Sequence, residues 1–120
     1  MAIYAALIYS DDVDWSAPEL ADTTAQYGEF GQAHAASIRG GAVLYPTPTA
    51  TVVRVAGARG GDVVTTDGPY AETKEAFTGF YLLEADDLDA AVAIAREIPA
   101  TWTGGAVEIR PVIPRQAPGS

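Results

Sequence analysis

Two runs constrain this chain more than any other feature: IYAALIY at residues 3–9 and FTGFYLLEA at 77–85. Successive side chains of a β-strand point to opposite faces, so a run that is apolar at odd and even positions alike has to be covered on both sides. Both read as central strands of one sheet. Between and after them lie two helical patterns. The first fits Ser16 to about Ile38, with Ser16 and Glu19 at capping-box spacing and Pro18 tolerated in the first turn. Tyr27, Phe30, His34 and Ile38 share its stripe, and Gly40 or Gly41 is expected as its C-terminal cap. The second runs from Asp87 to Ile98 and is stopped by Pro99. Leu88, Ala91, Val92, Ala95 and Ile98 follow the spacing of one buried helix face.

The remaining runs complete the order. AVLYP (42–46), TATVVRVAG (49–57) and DVVTTD (62–67) read as strands, the last two joined through ARGG as a hairpin. AVEIRPVI (106–113) alternates cleanly as a final strand. The resulting fold class is α+β, a ferredoxin-like βαβ–βαβ sandwich with an added central hairpin. Residues 1–113 read as a single domain and 114–120 as a flexible tail. Two helices can cover only one face of such a sheet. The apolar residues of the other face then call for a second copy packed sheet to sheet, a homodimer, and a monomer with an open apolar face is the less economical alternative.

Composition narrows the function. Seven Lys+Arg against 16 Asp+Glu give a formal charge of -9, which disfavours nucleic acid and anionic membranes as partners. No cysteine is present, and one histidine without suitably spaced carboxylates makes no metal site. No residue type here carries redox chemistry alone; the chemistry the residues offer is proton transfer or elimination, and no cofactor is expected. The first apolar run is too short to span a bilayer and lacks a basic leader, which makes the cytoplasm the expected compartment.

The stretch TTDGPYAETKEAF, residues 65–77, concentrates the polar chemistry. Gly68 and Pro69 favour a chain reversal whatever its role, and the Asp67 carboxylate is placed to accept from the amides of Tyr70 and Ala71. Glu72, Lys74 and Glu75 fit either a solvated turn or the wall of a cleft in which Lys74 holds an anionic group. His34 fits either a packed, hydrogen-bonded side chain or an acid–base group.

TTDGPYAETKEAFTGFYLLEADDLDAAVAIAREIP, with IYSDD, RGGAVLYPTPTATVVRV and VEIRPV, resembles the YCII-related family, and within it the DGPF-motif branch. The resemblance covers nearly the whole chain. It implies a dimeric α+β barrel with a cleft between helix one and the sheet. It also implies either a small-molecule protein with cofactor-free acid–base chemistry of isomerase or lyase type, or a non-catalytic accessory module acting with a protein partner such as an extracytoplasmic-type sigma factor. Two departures stand out. Tyr70 replaces the phenylalanine of the motif, and the family's proposed catalytic histidine falls near Gln26 or Tyr27, whereas His34 lies further on. The family's His–Asp pair therefore does not carry over residue by residue. Asp67 or His34 is the candidate catalytic base, with Tyr70 or Lys74 as a polarising donor, and Tyr9, Tyr70, Lys74 and Glu72 are the candidate ligand-binding residues.

Overall fold

A computed structural model describes residues 1–114; except for Pro114, the expected tail lies outside the described residues. The architecture is α+β. Strands β1 (Ala2–Ser10), β2 (Ile38–Val43), β5 (Ala76–Ala85) and β6 (Ala106–Pro111) form one antiparallel sheet in the order β2-β5-β1-β6. Strands β3 (Thr51–Val55) and β4 (Val63–Asp67) pair separately as a hairpin. Helices α1 (Ala21–Ala33) and α2 (Leu88–Ala95) complete the chain. The β1–α1–β2 unit is split by β5, and the β5–α2–β6 unit is split by β1, an arrangement consistent with a ferredoxin-like fold.

The two doubly apolar runs pair with each other at the centre, Tyr4 opposite Leu83 and Ala6 opposite Tyr81. On β1 the buried residues are Tyr4, Ala6, Ile8 and Ser10, and the alternate set Ile3, Ala5, Leu7 and Tyr9 is half-buried. The buried set meets Phe30 of α1 and Ala91, Ala95 and Ile98 on or just after α2, around a fully buried Leu83. A bulge between Ile8 and Tyr9 shifts the register and sets Thr78 beside Ser10. Their hydroxyls, buried among apolar neighbours, satisfy each other at 2.8 Å.

Glycines fix how closely β2 approaches β5. A Cβ on Gly79 would lie 2.6 Å from the Ala42 carbonyl oxygen, and one on Gly41 would lie 2.5 Å from that of Phe80. No larger residue fits this spacing, and the missing side chains leave a depression on the helix-bearing face. The strand expected at 42–46 therefore begins earlier, at Ile38, and the two glycines expected as a helix cap are strand residues. Pro46, which has no N–H for a ladder, marks where the strand has ended.

The first helix is also shorter than its pattern suggests. Ser16 does not cap it: the Ser16 amide and hydroxyl both donate to Asp14 Oδ1, at 2.9 and 2.5 Å. Pro18 instead opens a short 3-10 turn over Pro18–Leu20, and regular helix begins at Ala21. It ends at Ala33, and Ile38 keeps its place against the core from the strand. In α2, Leu88 and Val92 lie on the exposed side, and Ile94 packs inward with Ala91 and Ala95. Of the expected stripe, Ala91, Ala95 and Ile98 are buried, and Leu88 and Val92 are not; the buried face is carried by small alanines where the helix sits close to the sheet.

The β3–β4 hairpin stands away from this body. Its turn uses Gly57 and Gly60 at positive φ (76° and 89°), and Val53, Val55, Val63 and Val64 are exposed along its length. The radius of gyration is 16.7 Å, against roughly 13–14 Å for a compact domain of this length.

The Asp87 carboxylate caps α2, accepting from the Ala90 amide at 2.8 Å. Asp87→Ala is expected to lower the unfolding free energy by about 1 kcal/mol, and Asp86→Ala, one residue outside the cap, to change it by less than about half that; urea denaturation of the two variants measures the contrast.

Candidate functional site

A cleft of about 580 Å³ opens between α1, the segment 14–16 that precedes it, and the helix-bearing face of the sheet. Its floor is the depression left by Gly41 and Gly79, flanked by Ile8, Val43 and Tyr81. Its roof is Trp15 and Tyr27, whose rings meet edge to face at 6.2 Å. Asp14, Ser16 and Tyr45 contribute to its lining from the loops, and Asp14 and Tyr45 are exposed. The loop that carries Asp14 and Trp15 is tied across the opening. Asp12 accepts from the Thr47 amide at 2.8 Å and from the Thr47 hydroxyl, joining the segment after β1 to the segment after β2.

Polar chemistry in the cleft comes from a few groups. Burial pushes the Tyr81 phenol above its ordinary value; Tyr81 packs on Phe30 at 5.0 Å. The Tyr27 phenol is raised first by burial and then by the nearby Tyr81, with a backbone hydrogen bond from Ala100 acting the other way. The Asp14 carboxyl is held below the usual carboxylate range, first by the Ser16 hydroxyl and then by the Ser16 amide. Among the described residues, the Trp15 indole Nε1–H is covered by protein and makes no hydrogen bond, which costs about 1–3 kcal/mol. Both tyrosines stay neutral through physiological pH, so the inner cleft is uncharged and Asp14 is the one ionised side chain among its lining residues.

The residues singled out from sequence are dispersed. His34 caps the end of α1; its ring packs on Phe30 at 5.0 Å and its Nε2 pairs with the Glu97 carboxylate, clasping the ends of the two helices. Asp67 is exposed at the end of β4 and, among the described residues, accepts no hydrogen bond from Tyr70 or Ala71. The reversal is carried instead by Gly68, at φ 102°, whose N–H donates to the Ala50 carbonyl at 2.8 Å. Tyr70 is 78% exposed and lies under the Arg54 guanidinium, 5.3 Å from the ring centre. Glu72 is an exposed residue of the connection to β5.

Only Tyr9 and Lys74 come together. They line a shallow pocket of about 370 Å³ with Thr73, Glu75 and Glu108, next to the outer face of the sheet, where Tyr9 packs on Phe77 at 5.8 Å. The α1 cleft is built from aromatics not among the candidate site residues, Trp15, Tyr27, Tyr45 and Tyr81, together with Asp14, Gly79, and Ser16 and Gly41, for which helix-capping roles were expected. One signal pointed there: Tyr27 stands close to where the resemblance places a catalytic histidine. Among the described residues, no group of three His, Cys, Asp or Glu side chains is arranged to hold a metal ion, and no helix is long and apolar enough to cross a membrane.

The raised phenols carry a pH signature. Both are neutral in folded and unfolded chain below about pH 10, so their contribution is fully present there. Above it the unfolded chain ionises first, and stability is lost as pH rises toward the higher folded values. Ultraviolet titration is expected to show Tyr27 and Tyr81 ionising above the ordinary tyrosine range. Tyr27→Phe and Tyr81→Phe each remove one late component and flatten the alkaline loss of stability; a wild-type titration with all tyrosines in one ordinary step would contradict this.

Comparison with known proteins places the chain in a family. The model of the YCII-related domain matches residues 2–116. An uncharacterised protein of Rhizobium meliloti is 34% identical over 118 residues, covering 92% of this chain and 91% of the relative. The match runs from the first strand of the sheet through its last, and the chain belongs to the YCII-related family.

Proposed function

We propose that the protein binds a small organic molecule in the cleft between α1 and the sheet. The observation that carries this reading is the cleft itself: a volume suited to a compact ligand, walls of Ile8, Val43, Trp15 and Tyr81, and a small number of hydroxyls for orientation. Binding, rather than acid–base turnover by His34 or Asp67, is the reading the geometry supports. His34 is occupied by Glu97, and neither residue lines the cleft. A reaction in this site would draw on Asp14 as base and the Tyr27 or Tyr81 hydroxyl as donor. We also read TTDGPYAETKEAF as the mark of the DGPF-motif branch and the cytoplasm as the compartment.

The functional unit we propose is a homodimer. Ile3, Leu7, Tyr9, Phe80 and Leu82 fall on the sheet face away from the helices, and the hairpin adds exposed valines. Surface of this extent is rarely left to water. The exposed hairpin also supports a second reading, an accessory module whose hairpin meets a different protein, such as an extracytoplasmic-type sigma factor.

Two measurements test these readings. Val43→Trp, which fills the cleft from beside its floor, is expected to abolish thermal shifts caused by small aromatic fragments, and Val53→Trp on the hairpin to leave them intact; equal shifts in both variants would place the fragments elsewhere. Light scattering is expected to return the mass of two chains. One chain's mass would contradict the homodimer, and co-purification with a heterologous partner in place of the second copy would favour the accessory reading.

A further inference from the structure

The geometry points to an organic cation as the ligand: an ammonium group carried on an apolar, planar body, its head at the cleft mouth beside Asp14 and its body between Trp15 and the floor. This rests on the cleft being a ligand site and goes on to name the chemical class it takes.

Four observations converge on it. Asp14 is the single ionised side chain among the lining residues, and neither lysine, arginine nor histidine is among them. Both Ser16 donors engage Asp14 Oδ1, so the loop holds the carboxylate in position and, among the described residues, leaves Oδ2 without a protein donor. The rings of Trp15, Tyr27 and Tyr45 line the same cleft, and aromatic faces attract a cation through their quadrupole. Past this rim the floor is Ile8, Val43 and two glycines, a surface for an apolar body and not for a second charge.

The alternatives fit less well. A carboxylate or phosphate ligand would meet Asp14 with no compensating cation among the lining residues, and a buried or half-buried anion without a partner is strongly disfavoured. A neutral aromatic would suit the floor and leave Asp14 idle. The overall charge of -9 adds a long-range term in the same direction at low salt, which titration at about 0.15 M salt screens, so that only the local contribution of Asp14 is read.

A matched set of probes tests the assignment: 2-phenylethylamine, 2-phenylethanol and 3-phenylpropanoate, which share a phenyl body and differ in the charge of the head. Affinities are read from NMR titrations in which the cleft residues report the binding site. The amine is expected to bind about tenfold tighter than the alcohol, with the propanoate weakest. Asp14→Asn, an exposed substitution checked for unchanged circular dichroism, should bring the amine down to the level of the alcohol and leave the alcohol unaffected. Alcohol or propanoate binding as tightly as the amine, or an amine preference that survives in Asp14→Asn, overturns the cation assignment while leaving the cleft as a ligand site. Failure of all three probes to move any signal from the cleft overturns the assignment together with the binding reading on which it rests.

Discussion

The pairing of β1 with β5 is the contact on which the rest depends. Each strand is apolar on both faces, so neither can sit at an edge, and their antiparallel register brings Tyr4 against Leu83 and Ala6 against Tyr81 at the centre of the sheet. From that pair everything else is placed by exclusion. The strand after α1 adds beside β5 and the strand after α2 beside β1, which gives the order β2-β5-β1-β6. Leu83, fully buried, is where both helices and both central strands converge. Its truncation to alanine would remove contacts that no neighbour replaces.

The same register creates the cleft. The glycines at 41 and 79 leave one end of the helix-bearing face without side chains, next to the bulge at Ile8/Tyr9, and α1 starts too late to fill it. The proline-led 3-10 turn at 18–20 displaces the beginning of the helix and leaves Asp14 to Ser16 as an irregular segment over the gap. Trp15 fills part of that gap with an indole whose N–H finds no partner among the described residues. A loop that tolerates such a group is held by other means, here by Asp12 on Thr47 and by Ser16 on Asp14.

Much of the fold was legible because it rests on patterns with a fixed period. Two-sided apolarity located the central strands, and Asp87 marked the start of the second helix, which ends at Ala95, short of the Ile98 expected before Pro99. The first helix was overextended because Ile38 satisfies a helical stripe and a strand face equally well, and Arg39-Gly40-Gly41 resembles a cap. What those glycines do depends on the distance to β5, a non-local quantity that no local spacing records. The site was harder to read for a related reason. TTDGPYAETKEAF draws attention by its density of polar groups, and it marks the family, yet Asp67 and Tyr70 belong to the hairpin and its exposed exit. The residues that line the cleft are a carboxylate in a loop, aromatics indistinguishable in sequence from core, and glycines whose contribution is the space they leave.

The central claim is that the cleft between α1 and the sheet is where this protein meets its ligand. Its two tryptophans allow a direct reading, because Trp15 forms the roof of the cleft and Trp102 is exposed outside its lining. Fluorine NMR of protein labelled with 5-fluorotryptophan, titrated with a mixture of small aromatic fragments, resolves the two. The account predicts a saturable shift of the Trp15 signal, assigned by its loss in Trp15→Phe, with the Trp102 signal unmoved. A saturable shift of Trp102 alone, or two signals indifferent to every fragment, would contradict it.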